Sequence, residues 1–365
     1  MTSPRTVVLL TSVAGWRGSA TSYHKIAVGM IASGWRVHAL LGGEALRTRF
    51  EECGASVGVI GLRSTGLGAA RMLARKFAEV DASVVITDTP RDFRVGVLAR
   101  IFHRTPVVYR YNLSYRAAHQ GIVERMYLRG GAGCVFQSRA IQDEFLAAYP
   151  SLRDHPRWLI PNGYDVPDEA TDEAAARELG QRLTLDGGQP VVLCGAMLAS
   201  RKGHDVLLEA VRRRRELGDS FTLVLCGTGG EAASIAESAR ALGVPAVFTG
   251  MLDAREMRAA FRLADVVVHP SEREIFPNVV AEAMMAGRAV VAVDSWGTAE
   301  VLGDAGVLVP PQDADALGAA IVRLLGDAGE RERLGSAARE RVRTMFPMER
   351  MVDGYRRVIE AVTAG

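Results

Sequence analysis

The chain has 365 residues, 48% hydrophobic and 24% charged, with a formal net charge of +2. That length exceeds a single core and predicts two domains. The composition excludes a disordered chain, and the near-balanced charge gives no electrostatic case for a nucleic-acid partner. Cys53, Cys134, Cys194 and Cys226 stand at unpaired spacings, the pattern of reduced thiols rather than of a disulfide framework or a zinc site. The apolar "VVLL" near the amino end is too short for a signal peptide or a membrane span. A cytoplasmic protein is expected, able to rest on the inner face of a membrane.

From the amino end, "TVVLLTS", "WRVHALL", "ASVVITD", "TPVVYRYN" and "GCVFQS" are short β-branched runs separated by helix-like stretches. Near-continuous apolar strands alternating with helices predict buried parallel strands in βαβ units, hence a doubly wound sheet. The stretch "IPNGYDVPDEATDEAAARELGQ", residues 160–181, is polar and rich in turn formers, and a linker is placed there. The pattern then restarts with "PVVLCGA", "FTLVLCG", "PAVFTG", "DVVVHPS", "AVVAVDS" and "GVLVP", a second α/β domain of similar build. The run Arg212 to Arg215 lies in a predicted helix, either as a solvated face or as a basic patch turned to a membrane. Two such domains facing each other leave a central cleft, and ligands of open α/β sheets bind beyond the carboxyl ends of the strands.

The segment "HPSEREIFPNVVAEAMMAG" follows one of these strands. Glu274 lies in the loop, Pro277 suits a first helical turn, and Gly287 is a natural stop. Glu282 sits among Val279, Val280, Ala281, Ala283, Met284 and Met285, so the helix reads as buried on nearly every side. A buried carboxylate needs donors. Glu282 either points to solvent, pairs with a cation such as Arg288, or accepts from the two hydroxyls of a sugar or ribose diol. The backbone N–H groups of Phe276, Asn278 and Val279 open the helix and suit an anion. In "VLCGAMLASRKGHDVLLEA", Arg201 and Lys202 precede Gly203 at a helix start, either an exposed basic turn or a pocket for a diphosphate.

The pattern "S-x-x-E-x-F-P-N-V-V-A-E-A-M-x-A-G" resembles the E-x7-E signature of retaining glycosyltransferases of the GT-B fold, most of all the large family 4. The likeness spans nearly the whole chain and is strongest from Val191 to Pro311. It implies two Rossmann-like domains, 1–165 on the acceptor side and 166–345 for the nucleotide sugar, with a helix in 346–365 packing back on the first. It also implies that Glu274 contacts hydroxyls of the transferred sugar, that Glu282 grips the ribose, and that Lys202 binds the donor diphosphate. Phe276, Pro277, Asn278 and Val279 then line the donor, and Met251 meets the base through its backbone. "CGTGGE" and "FTGMLDAREM" resemble base-lining segments, and Gly297 and Glu300 fall where the family has a glycine and a glutamate.

Three positions depart from the family. Ala196 replaces a diphosphate-binding arginine, and Arg201 is expected to stand in for it. Gly15 and Gly18 keep a flexible turn after the first strand, with Ser19 or Thr21 as hydroxyl donors, although the same hydroxyls suit a plain helix cap; the family's acidic residue there is Ala20. Asn112, beside Tyr111, stands where a histidine commonly faces sugar and acceptor, and His119 lies seven residues on. Asn112 hydrogen-bonds without titrating near neutral pH. His269 reads as a packed residue.

The expected activity is transfer of a sugar, with retention, from a nucleotide diphosphate sugar to a hydroxyl acceptor in glycan, glycolipid or glycosylated natural-product synthesis. The family's commonest base makes the donor a UDP sugar, and no metal or other cofactor is expected. A nucleotide-sugar epimerase of similar architecture would need an acid–base pair that the sequence does not show, and a donor-binding protein with weakened catalysis is the third reading.

Overall fold

The computed structural model describes residues 5–16, 18–62, 64–112, 121–165, 169–185 and 188–364. Two compact units emerge, Met1–Gly163 with Pro347–Gly365, and Tyr164–Phe346.

The first unit runs β1 (Thr6–Thr11), α1 (Gly18–Ala32), β2 (Arg36–Leu41), α2 (Arg47–Glu52), β3 (Ser56–Val59) and α3 (Leu67–Glu79). It continues with β4 (Ala82–Thr87), α4 (Pro90–Ala99), β5 (Val107–Arg110), α5 (Ile122–Gly130), β6 (Gly133–Phe136), α6 (Arg139–Ala148) and β7 (Arg157–Leu159). These strands form one parallel sheet in the order β3-β2-β1-β4-β5-β6-β7. β1 is buried at every residue, as a central parallel strand must be.

The second unit begins with α7 (Glu169–Arg182), β8 (Val191–Gly195), α8 (His204–Glu216), β9 (Thr222–Cys226), α9 (Ala232–Ala241), β10 (Ala246–Gly250) and α10 (Ala254–Leu263). It closes with β11 (Val266–His269), α11 (Asn278–Met285), β12 (Ala289–Val293), α12 (Trp296–Leu302), β13 (Val307–Val309), α13 (Ala314–Gly326) and α14 (Ala328–Met345). Its parallel sheet has the order β10-β9-β8-β11-β12-β13.

The stretch expected as a linker supplies α7 instead. Ala175, Ala176 and Leu179 recur at helical spacing and are buried with Ala259, Ala260 and Phe261 of α10. Arg182 adds an ion pair with Glu256 at 2.7 Å. The last helix, α15 (Met348–Thr363), packs in the first unit: Tyr355, Val358 and Ile359 share a core with Tyr23 and Ile26 of α1. A Cβ on Gly29 would stand 2.4 Å from Val352 Cγ2, so glycine sets how closely α1 and α15 approach. Among the described residues no helix is long and apolar enough to cross a membrane, and the four cysteines are free.

A buried polar cluster lies at the carboxyl ends of β4 and β5. Arg110 Nη2 donates to Asn162 Oδ1 and Asn162 Nδ2 to Ser22 Oγ, both at 3.0 Å. Asp88 is 1% exposed and neither of its oxygens meets hydrogen-bond geometry. Burial pushes its carboxyl up to about 7, against the pull of Arg110 and with help from Asp92. The folded state therefore keeps a proton that the unfolded chain has lost, and stability falls as pH rises from about 4 towards 7. Asp88→Asn is expected to stabilise the protein by about 1–3 kcal/mol at about pH 8 and by far less at about pH 5, where native Asp88 is already protonated. Urea unfolding at both pH values checks this, and an equal effect at the two would contradict it.

Candidate functional site

In the second unit the strand order reverses between β8 and β11, where an open parallel sheet leaves room for a ligand beyond its strand ends. After β8 the chain makes one 3-10 turn, Ser200–Lys202, and reaches Gly203 at φ +70° before α8 begins. A Cβ at Gly203 would come within 2.3 Å of the Pro270 carbonyl oxygen, so both backbone angle and space call for glycine. After β11, residues 270–277 form a loop that ends at Pro277, the N-cap of α11. Ser271 Oγ donates to the Arg201 carbonyl at 3.5 Å, which sets the two loops side by side.

That packing brings two of the expected residues together. Lys202 Nζ lies 2.5 Å from Glu274 Oε1, with the side chains only 12% and 15% exposed. His269 Nε2 approaches the same oxygen to 3.4 Å. It is a close polar contact rather than a directed bond, since neither His269 ring nitrogen meets hydrogen-bond geometry. Burial alone would raise the pKa of Glu274, but His269 and Lys202 outweigh it and hold the carboxyl well below the usual range. Glu274 is thus an ionised group that only accepts. The loop bearing it is fixed by Gly297, whose N–H donates to the Glu274 carbonyl at 3.0 Å. A Cβ on Gly297 would stand 2.0 Å from the Ile275 carbonyl oxygen.

His269 was read from the sequence as a packing residue. It is packed, and it also touches the central carboxylate. Its place as the last residue of β11, five before Glu274, was the available signal.

The expected donor-lining set divides. Phe276 stacks near Tyr164 (centroids 6.4 Å apart, planes at 16°) and meets Phe346 edge-on at 5.5 Å, so its ring belongs to the core. Pro277 is buried too. Asn278 Oδ1 accepts from the Tyr164 hydroxyl at 2.7 Å. Val279 packs over the end of β8, where a Cβ on Gly195 would stand 2.9 Å from its Cγ2. Glu282 is half-buried rather than enclosed. It lies four residues beyond Asn278 on one stripe of α11, which leads to the C-cap Ala286, while Val280, Ala281, Ala283, Met284 and Met285 turn inward.

The loops after β8, β9 and β10 are tied together. Ala196 N donates to Cys226 O at 3.0 Å, Leu198 N to Thr228 O at 3.0 Å, and Gly227 N to Gly250 O at 2.9 Å. A Cβ on Gly227 would stand 2.0 Å from the Ala196 carbonyl oxygen, so "CGTGGE" runs against the backbone of Ala196. Met251, just beyond β10, is 57% exposed. Arg201 is exposed, and it is Lys202 that reaches Glu274.

The remaining expected residues belong to the first unit. Gly18 and Ser19 open α1 beyond β1, and Ser22 Oγ donates back to the Gly18 carbonyl at 2.9 Å. Asn112 is half-buried past β5, next to Tyr111, which is locked among Tyr109, Phe136 and Phe145. His119 lies outside the described residues.

Comparison with known proteins agrees with this architecture. Residues 16–167 match the model of Glycosyltransferase Family 4, and residues 176–341 that of Glycosyl transferases group 1. A GDP-mannose-dependent alpha-(1-6)-phosphatidylinositol monomannoside mannosyltransferase of Mycolicibacterium smegmatis is 32% identical over 217 residues, 56% of each chain. The alpha-D-kanosaminyltransferase of Streptomyces kanamyceticus is 29% identical over 221 residues, 59% of this chain and 56% of that one. This chain spans about half the length of the curated relatives it matches. Anabaena HepE, solved with UDP and glucose, shares the fold at TM-score 0.84 and 21% identity, covering 98% of this chain and 100% of that one. A glycosyltransferase of Rickettsia africae shares it at TM-score 0.83 and 17% identity, covering 99% of each chain. The chain belongs to the family 4 glycosyltransferases of the GT-B fold.

Proposed function

We propose that the second unit binds a nucleotide diphosphate sugar and that the protein transfers its sugar, with retention at the anomeric carbon, to a hydroxyl acceptor. The Lys202–Glu274 contact carries this reading. In such a donor the terminal phosphate and the sugar share the anomeric bond, so a cation for one and an acceptor for the other must be neighbours. Lys202, beside the start of α8, stabilises charge that grows on the departing diphosphate. Glu274 accepts from sugar hydroxyls, and Glu282, on the half-buried stripe of α11, accepts from the ribose diol.

Uridine is the base read from the family's commonest usage. The GDP-mannose-dependent relatives make guanosine the specific alternative. Relatives named for phosphatidylinositol mannosides and for D-inositol 3-phosphate support a hydroxyl compound, lipid-linked or soluble, as the acceptor. The free thiols fit a reducing cytoplasm. With Lys202 and helix starts supplying positive charge, the transfer is read as needing no bound metal.

A thermal-shift panel of UDP and GDP sugars, followed by turnover on the hits, tests the reading. Transfer releases nucleotide diphosphate in proportion to acceptor, whereas a donor-binding protein releases none. Glu274→Ala should lower turnover by about 10–100-fold, the worth of a hydrogen bond to a charged group, while sparing affinity for the bare nucleotide. Glu282→Ala should weaken both. Unchanged turnover in Glu274→Ala would refute the role of that carboxylate.

His269→Leu removes one of the two groups that hold Glu274 ionised. Turnover should drop about ten-fold or more with bare-nucleotide affinity kept, and His269→Gln, which keeps a polar group beside that carboxylate, should recover part of it. Equal losses in the two variants would make His269 a packing residue alone. Turnover measured before and after exhaustive chelation should be the same; a loss restored by a divalent cation would overturn the metal-independent reading.

A further inference from the structure

One helical surface of the first unit has no part in the transfer reading. On α5 the usual partition is inverted over its first turns. Its acid, Glu124, is buried in an ion pair with Arg94 of α4 at 2.5 Å. Ile122, Val123 and Met126 instead stand 70%, 64% and 67% exposed. Residues at these spacings share one side of a helix, so the three make a single apolar face. Alongside, Arg100 donates to the Gly130 carbonyl at the end of α5, and Ile101 and Phe102, both exposed, come directly after it. Lone exposed apolar side chains need no explanation, but a cluster marks a contact surface.

Charge decides what covers it. Arg100, Arg104 and Arg129 are exposed and Arg125 is half-buried. The one acid of α5 is taken up by Arg94, so the rim of the apolar face is cationic. Apolar side chains set among arginines on a surface helix suit a bilayer with anionic headgroups, where the former enter the interface and the latter meet phosphate. In the arginine run of α8 three of the four are already paired, Arg212 with Glu209 and Glu216, Arg213 with Asp315 and Arg214 with Asp219.

We propose that α5 and the turn after α4 seat the first unit on an anionic phospholipid surface. The proposal stands apart from the identity of donor and acceptor. It is tested by co-sedimenting the full chain with vesicles of phosphatidylcholine alone or mixed with phosphatidylglycerol. Binding to the mixed vesicles should be about ten-fold stronger and should be lost in about 1 M salt, where screening reaches ~3 Å. The paired variants Ile122→Ser with Met126→Ser, and Arg125→Ser with Arg129→Ser, should each weaken it about ten-fold without moving the melting temperature. No binding, equal binding to neutral vesicles, or undiminished binding in the variants would overturn the proposal. So would a dimer in sedimentation velocity that Ile122→Ser with Met126→Ser dissolves, since the surface would then belong to a second copy.

Discussion

Everything proposed for the second unit depends on Lys202 and Glu274 meeting where its strand order reverses. Stability alone gives a protein little reason to keep such a pair. Two charges withdrawn from water lose hydration that their attraction scarcely returns, and well-packed apolar residues often serve the fold as well. Removing one partner is another matter, because the survivor is left buried and uncompensated. Such a pair makes sense when a ligand replaces each partner in turn. Phosphate oxygens can satisfy the lysine, and hydroxyls can satisfy the carboxylate. The glycines around it fit that view. Gly203 and Gly297 both stand where a Cβ would strike a backbone carbonyl, so the two loops are pressed into fixed positions before any ligand arrives.

The strands were legible where both faces are buried. The runs of β1, β8 and β12 are apolar at almost every residue because a central parallel strand has no solvent side. β3 and β7 stood outside the strands expected from sequence, and both lie at the edges of their sheet. "SVGV" and "RWL" are half-exposed and short, and neither gives a continuous apolar run. α7 was hidden by composition: its charged residues suggest a linker, although Ala175, Ala176 and Leu179 keep helical spacing. Which way a helix faces was harder still. The apolar neighbours of Glu282 suggested burial all round, but they are adjacent in sequence rather than in direction, and α11 keeps one half-buried stripe.

The same limit explains the site. Lys202 and Glu274, which the structure brings into contact, stand out as candidates in the sequence because their motifs fix residue type and spacing. Phe276 belongs to the same motif, yet its ring packs between Tyr164 and Phe346. A motif shows that a residue matters without saying whether it touches ligand or holds up the residue that does. His269 is the reverse case, a strand residue with no motif of its own whose ring closes on the central carboxylate.

Ala196 then gains a consequence. Where the family carries an arginine, this chain has a methyl group, and Arg201 is exposed rather than turned onto Glu274. On the proposed reading one lysine serves both its own carboxylate and the incoming phosphates. As Lys202 shifts towards phosphate, Glu274 loses part of its partner while staying buried, and an ionised buried carboxylate without a partner is costly. His269, 3.4 Å from the same oxygen, is the group placed to take up that contact. On that reading the histidine supports the carboxylate while the lysine turns to phosphate, and Ala196 after β8 and His269 at the end of β11 become parts of one arrangement.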